Sequence, residues 1–411
     1  MSLVTPTIPD PRLPPELLHL ICDLIDSRRR ALLLNLCKVS RVFRVPSQRK
    51  LYERVDLAGC SVRVILYWCL VIRRRQDLSE RVWRLRLLAP TTHQVYTEEA
   101  DKIFLAVSRC VNITWLELPY EVPGAISSPH WLLGAVSTMR SPFRLTVFEC
   151  GAHSQFHELR SVLLQQPSLL FLILGSKDIY LDRHFLRRLA EAGGQDPKTV
   201  LPSLFAVKTL SPNVQIERRL RRIETMIGDI TPLARYASSL QVLNIHFGSS
   251  RDLQVIATLA RVAQLFPRLQ YLALVEAAQK LDDCWYTEQD SPALVMPRFQ
   301  NLRSLYLVLS RVTQLTEKEP DGSVTRAVPV GDEVGMRELC LKMMNAAPDT
   351  CLDICVNIIQ NEDGRFAERS FRANIAHEGA RTSRVKVNSG HIPANQLLQV
   401  ATRHFWQSLT P

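Results

Sequence analysis

A six-residue phrase recurs along this chain: an apolar residue, two others, a leucine-type residue, one more residue, then another leucine-type residue. It reads Val82-Trp83-Arg84-Leu85-Arg86-Leu87 and Ile113-Thr114-Trp115-Leu116-Glu117-Leu118, then Leu169–Leu174, Leu240–Ile245, Leu269–Leu274 and Leu302–Leu307. Degenerate versions occupy Phe143–Phe148 and Leu204–Leu210. The alternation at the end of the phrase demands a strand, with the leucines on one face and the residues between them on the other. A single copy cannot bury its leucine face alone, so the copies must stack.

Taking the middle leucine as the marker, the steps are 31 (85 to 116), 56 (116 to 172), 71 (172 to 243), 29 and 33. The long steps are close to doubled short ones, which predicts degenerate copies inside them. Amphipathic stretches at Glu98–Cys110, Gln155–Gln165, Arg183–Ala192 and Asp252–Phe266 predict helices between copies. Short lead-ins precede several markers: Val111-Asn112, Gln166-Pro167-Ser168, Phe266-Pro267-Arg268 and Gln300-Asn301. Strand, turn, helix and turn at this spacing resemble an irregular leucine-rich repeat array, which implies an α/β solenoid with a curved parallel sheet. A general α/β domain with several leucine-rich strands is the alternative. In the repeat reading, the residues flanking the last leucines form one ladder. It contains Trp115 and Glu117, Phe171 and Ile173, Val242 and Asn244, Tyr271 and Ala273, and Ser304 and Tyr306, with His246 one step further. Trp115, Glu117, Asn244, His246, Tyr271 and Tyr306 are therefore the expected contacts to a target protein.

The N-terminal stretch has a different rhythm. Pro14 and Pro15 suit a first helical turn, where their missing N–H groups would be unpaired anyway. Leu17, Leu18, Ile21, Leu24 and Ile25 follow at helical spacing. Asp26-Ser27 breaks that helix and can cap a second, from Arg28 to about Ser40, and Pro46-Ser47 opens a third through Leu51 and Val55. Three blocks carry a family likeness: Leu13-Pro14-Pro15-Glu16-Leu17-Leu18, Cys37-Lys38-Val39-Ser40-Arg41-Val42-Phe43, and Arg49-Lys50-Leu51-Tyr52. In order and spacing they resemble the F-box, by which substrate receptors attach to the adaptor of cullin-type ubiquitin ligases. Ser61–Leu87 looks, more loosely, like the segment after the F-box in many fungal members. The resemblance implies a three-helix module at 1–57, followed by the repeat solenoid at 58–411. It also implies adaptor contacts through Leu13, Pro14, Leu17, Leu18, Ile21, Val39, Val42 and Phe43. An ordinary helical hairpin with core leucines remains the plainer alternative.

Of the net charge of +11, residues 1–90 carry +9, from 17 Lys+Arg against 8 Asp+Glu. The family's adaptor is acidic, so the resemblance gives this block a partner. Nucleic acid is the less expected partner, because few aromatics interleave the arginines to stack bases. Glu217–Arg222 puts four arginines on what reads as a helix, a solvated face or an acidic-partner or phosphate site. The longest apolar run, Val64–Ile72, is about half of the ~18 residues a membrane span needs, and predicts a buried helix. Ten cysteines sit mostly in apolar runs, and the N-terminus lacks the apolar core of a secretory signal. Both fit a reduced protein of the cytoplasm or nucleus.

No phosphate-binding loop, nucleophile elbow or paired metal motif occurs, so no catalytic residues, metal or cofactor are expected. Loop insertions are expected near 191–198, 280–297 and 316–335, the last as an exposed or partly disordered excursion. A last strand is expected at Cys351–Ile359 and a closing helix at Pro393–Trp406. The sequence thus points to a non-enzymatic substrate receptor of a ubiquitin ligase, binding an adaptor and an unknown target. Its rival is a repeat scaffold, or a nucleic-acid-associated protein, with no ligase role.

Overall fold

The computed structural model describes residues 14–25, 29–39, 41–87, 97–118, 142–151, 156–175, 181–209, 214–226, 229–247, 255–276, 291–309, 314–318, 324–329, 333–362, 365–378 and 382–391. It divides into two compact units, Met1–Leu169 and Leu170–Pro411, both α/β.

The first unit opens with α1 (Pro15–Leu24), α2 (Arg30–Val39) and α3 (Arg41–Glu53). Both α1 and α2 pack on α3 around Leu18, Cys22, Leu33, Pro46 and Ser47. The third helix does not begin at Pro46, as the sequence suggests, but runs through it. Proline removes one intrahelical bond, and packing against two helices offsets that loss. Val55 is not helical; it lies in strand β1 (Arg54–Asp56).

There follow α4 (Val62–Arg74), the single turn α5 (Gln76–Ser79), β2 (Arg84–Arg86), α6 (Thr97–Val107), β3 (Trp115–Leu118), β4 (Val147–Cys150) and α7 (Phe156–Leu164). Strands β1 to β4 pair in parallel and in chain order, with Val55, Leu85, Leu116 and Phe148 side by side and buried. The apolar run of α4 is amphipathic in place. Ile65, Trp68, Cys69 and Ile72 are buried, whereas Val64 and Tyr67 are exposed.

The second unit continues the pattern. Its strands β5 (Phe171–Leu174), β6 (Ala206–Thr209), β7 (Arg222–Met226), β8 (Val242–Phe247), β9 (Tyr271–Glu276) and β10 (Ser304–Leu309) are parallel neighbours in chain order. Helices α8 (Phe185–Gly193) and α9 (Val255–Leu265) and a 3-10 turn at Thr231–Tyr236 form crossovers. One buried row runs through Leu172, Val207, Ile223, Leu243, Leu272 and Leu305. The two degenerate phrases are β4 and β6. The step from 172 to 243 hides two strands, β6 and β7, and the second was not visible as a phrase. Glu217–Arg222 is accordingly not helical: it is a bend leading into β7.

Within the expected excursion at 316–335, the described residues include regular elements. Strands β11 (Gln314–Lys318) and β12 (Val324–Pro329) form an antiparallel hairpin, followed by α10 (Glu333–Ala346). Nor is the strand at Cys351–Ile359 the last. It is β13 (Asp353–Glu362), parallel to β10, and the antiparallel strands β14 (Arg365–Glu378) and β15 (Thr382–His391) follow it. The expected helix at Pro393–Trp406 and most of the 280–297 insertion lie outside the described residues. The break at 191–198 is a left-handed Gly194 (φ +61°) after α8, with the Gln195 N–H returning to the Ala190 carbonyl.

The polar lead-ins have a common job. Asn112 Nδ2 donates to the Glu80 carbonyl at 2.7 Å, Ser168 Oγ to Leu145, Arg268 Nη1 to Ser238, Asn301 Nδ2 to Pro267 and Thr350 Oγ1 to Leu302. Each turn is thereby tied to its predecessor, and carbonyls that the short strands leave over are satisfied.

Candidate functional site

Two surfaces carry the residues singled out from sequence. The first is the helical trio. Leu17 (44% exposed), Leu20, Ile21 and Leu24 (79%) on α1 are open to solvent. So are Leu34 and Val39 (73%) on α2, and Val42 and Val45 on α3. Pro14 is also exposed and Phe43 half-buried, whereas Leu13 lies outside the described residues. Leu18 is the correction. At 4% exposure it belongs to the trio's own core, because α1 turns that side toward α3. The sequence reading missed Leu20, Leu34 and Val45, which lie outside the three blocks that carry the family likeness.

The second is, in each unit separately, the sheet face opposite the leucines. Register places Tyr271 beside Ser304 and Tyr306 beside Ala273, so both tyrosines lie on one face. In the first unit this face carries charge. Glu117 accepts from Arg84 Nε at 2.7 Å, and Arg86 lies 3.5 Å from both Glu117 and Asp56. The Arg84 guanidinium stacks 3.9 Å above the half-buried Trp115 ring, a cation–π contact. A cavity of about 220 Å³ beside them is lined by Arg30, Arg54, Arg84, Arg86, Asp56 and Glu117.

In the second unit Glu224 is the centre. Lys208 Nζ lies 2.6 Å away on β6, with His246 Nε2 at 3.1 Å and Asn244 Nδ2 at 3.2 Å on β8. Burial pushes this carboxyl up, but the Lys208 ammonium and the His246 hydrogen bond outweigh it and hold the pKa at about 2. Further along the face, Ala273, Val275, Tyr306, Val308 and Cys355 form an apolar cluster, and the Tyr306 hydroxyl donates to Asp353 at 2.8 Å.

This geometry corrects the expected ladder of target contacts. Glu117, Asn244 and Tyr306 (5% exposed) are buried. Adjacent parallel strands set side chains one strand spacing apart, and here each of the three bonds a neighbour on the face. Trp115, His246 and Tyr271 are half-exposed and remain able to touch a partner. Glu224 went unrecognised because β7 lacks the leucine phrase, and Lys208 because β6 carries only a degenerate one. The only signal for them was the over-long step from 172 to 243.

Among the described residues, no group of three His, Cys, Asp or Glu could hold a metal ion. No described helix is long and apolar enough to cross a membrane. The chain matches no family model, and no curated protein matches it.

Proposed function

We propose that this protein is a substrate receptor of a cullin-type ubiquitin ligase, with an F-box-like helical module and leucine-rich-repeat-like crossovers. The carrying observation is the apolar face of α1–α3. These helices have a core of their own, yet Leu17, Ile21, Leu24, Val39 and Val42 stay exposed. Large apolar side chains gathered on one small module mark a protein-docking surface. The excess of positive charge in residues 1–90 supports an acidic adaptor as the partner, through faster encounter. The parallel array would hold a target beside a ubiquitin-charged enzyme, raising its effective concentration without chemistry of its own. Half-exposed Trp115, His246 and Tyr271 are the residues of the ladder best placed for such contacts.

The test is co-purification with the ligase adaptor, comparing the intact chain with Leu24→Asp and Val39→Asp. Both positions are exposed, so the helices should fold while a charge enters the contact. The proposal expects capture by the intact chain and loss in both variants. Absence of capture by a folded intact chain, or undiminished capture by both variants, would favour a repeat scaffold without a ligase role.

A further inference from the structure

At the entry ends of β6, β7 and β8 the turns enclose a recess of about 1180 Å³. It is lined by Arg218, Arg219, Arg221, Arg235 and Arg268, and by a single acid, Glu217. Across the chain the basic-to-acidic balance is only 51 to 40, so this is a local concentration of charge. None of the five arginines is ion-paired to a carboxylate among the described residues.

Three of the guanidiniums are held by backbone carbonyls instead. Arg218 donates to Pro197 (2.8 Å), Lys198 (3.3 Å), Val200 (2.5 Å) and Leu201 (3.3 Å). Arg235 Nη1 donates to Gln215 at 2.8 Å and Arg268 Nη1 to Ser238 at 3.0 Å. Carbonyls orient these cations without neutralising them. Arg219 and Arg221 are exposed, and their guanidiniums have no hydrogen bond to a described residue, so those donors face the recess or solvent. Ser203 and Ser238 add exposed hydroxyls.

We infer that this recess binds a phosphorylated peptide segment, with Arg219 and Arg221 taking the phosphate and the three anchored arginines supplying the surrounding positive field. A phosphate brings nearly two charges and three acceptor oxygens to one point, which suits several guanidinium forks better than a single carboxylate does. Nucleic acid fits less well, because the aromatics lining the recess are already engaged. Tyr236 is buried with its hydroxyl on the Ile216 carbonyl, and Phe205 packs edge-on against Phe171 at 4.7 Å. The inference holds whether or not the N-terminal helices dock an adaptor.

The experiment is fluorescence anisotropy of the full chain with a labelled neutral peptide carrying two phosphoserines, against its unphosphorylated parent. The phosphorylated peptide should bind at least about tenfold tighter. The double variant Arg219→Ala/Arg221→Ala should lose about tenfold or more with its melting temperature unchanged, whereas Arg187→Ala, on α8, should bind as the unaltered chain does. Equal binding of the two peptides, or full binding by the double variant, overturns the inference. So does displacement of the peptide by a single-stranded oligonucleotide of equal charge that binds more tightly.

Discussion

The Glu224 carboxylate, 1% exposed, is bound 2.6 Å from Lys208 Nζ on the neighbouring strand. The same carboxylate is bonded to His246 and Asn244 on β8, so a single negative charge joins three strands. A glutamine there keeps one acceptor oxygen, replaces the other with a donor, and leaves the Lys208 ammonium without its counter-charge. Glu224→Gln should therefore cost about 2 kcal/mol or more at neutral pH, by thermal or urea unfolding. The pH dependence has a definite sign. The folded pKa of about 2 is below the ordinary value of 4.5, so the charged form favours the folded state. The stabilisation is complete above about 4.5 and disappears as pH falls toward 2. The stability gap between the unaltered chain and Glu224→Gln should narrow over that window. A constant gap would show that the carboxylate's charge is not what matters.

The α1 helix offers an internal contrast between core and docking face. Leu18→Asp should unfold the helical trio, costing several kcal/mol, because it puts a carboxylate at a 4% exposed position on the side of α1 that packs on α3. Leu24→Asp, at a site 79% exposed, should shift stability by no more than about 0.5 kcal/mol. Circular dichroism melts of the two variants decide this. Equal destabilisation would contradict the assigned faces.

Arg218 clamps a strained turn. Leu201 adopts φ +48°, a left-handed conformation that is uncommon outside glycine, and the guanidinium bonds four carbonyls between Pro197 and Leu201. Arg218→Lys should destabilise by about 1–3 kcal/mol, since a point ammonium lacks the planar fork by which Nε and Nη2 reach carbonyls from Pro197 to Leu201. Hydrogen exchange confined to residues 197–204 should accelerate. Unchanged exchange there would mean that the turn holds itself.

Tyr306 is a structural rather than a target-binding residue. Tyr306→Phe deprives the buried Asp353 of a donor and should cost about 1–2 kcal/mol. Tyr271→Ala, at a half-exposed site of the same face, should weaken target capture by ~1–2 kcal/mol with less effect on folding. Thermal melts and a capture assay on both variants separate the two roles. The reverse pattern would reassign them.

Binding of nucleic acid, where detected, should be weak and nonspecific. The positive charge of residues 1–90 is spread over several elements, so affinity should fall steeply with salt. Titrations at two salt concentrations check this, and sequence-selective binding that persists near physiological salt would contradict it.

The leucine rows were legible because burial there depends on one repeated chemical preference, and Leu85, Leu116, Leu172, Leu243, Leu272 and Leu305 all fall at the expected place in their strands. The opposite face was legible only in register. Which of its residues are covered depends on neighbours brought together by pairing, as Arg84 meets Glu117 from the next strand. Strand β7 was hidden for a related reason. The stretch Glu217–Arg222 before and into it reads as a charged helical face, and Arg222, Glu224 and Thr225 become buried sheet residues only when flanked by β6 and β8. In α1, spacing alone assigned both Leu17 and Leu18 to one stripe. Packing on α3 separated them.

The lead-in side chains reach backwards along the chain: Asn112 to Glu80, Ser168 to Leu145, Asn301 to Pro267, Thr350 to Leu302. In every one of these contacts the acceptor is synthesised before its donor. A chain emerging from a ribosome therefore meets a finished edge each time a new turn appears, and can be laid down course upon course in the order of translation.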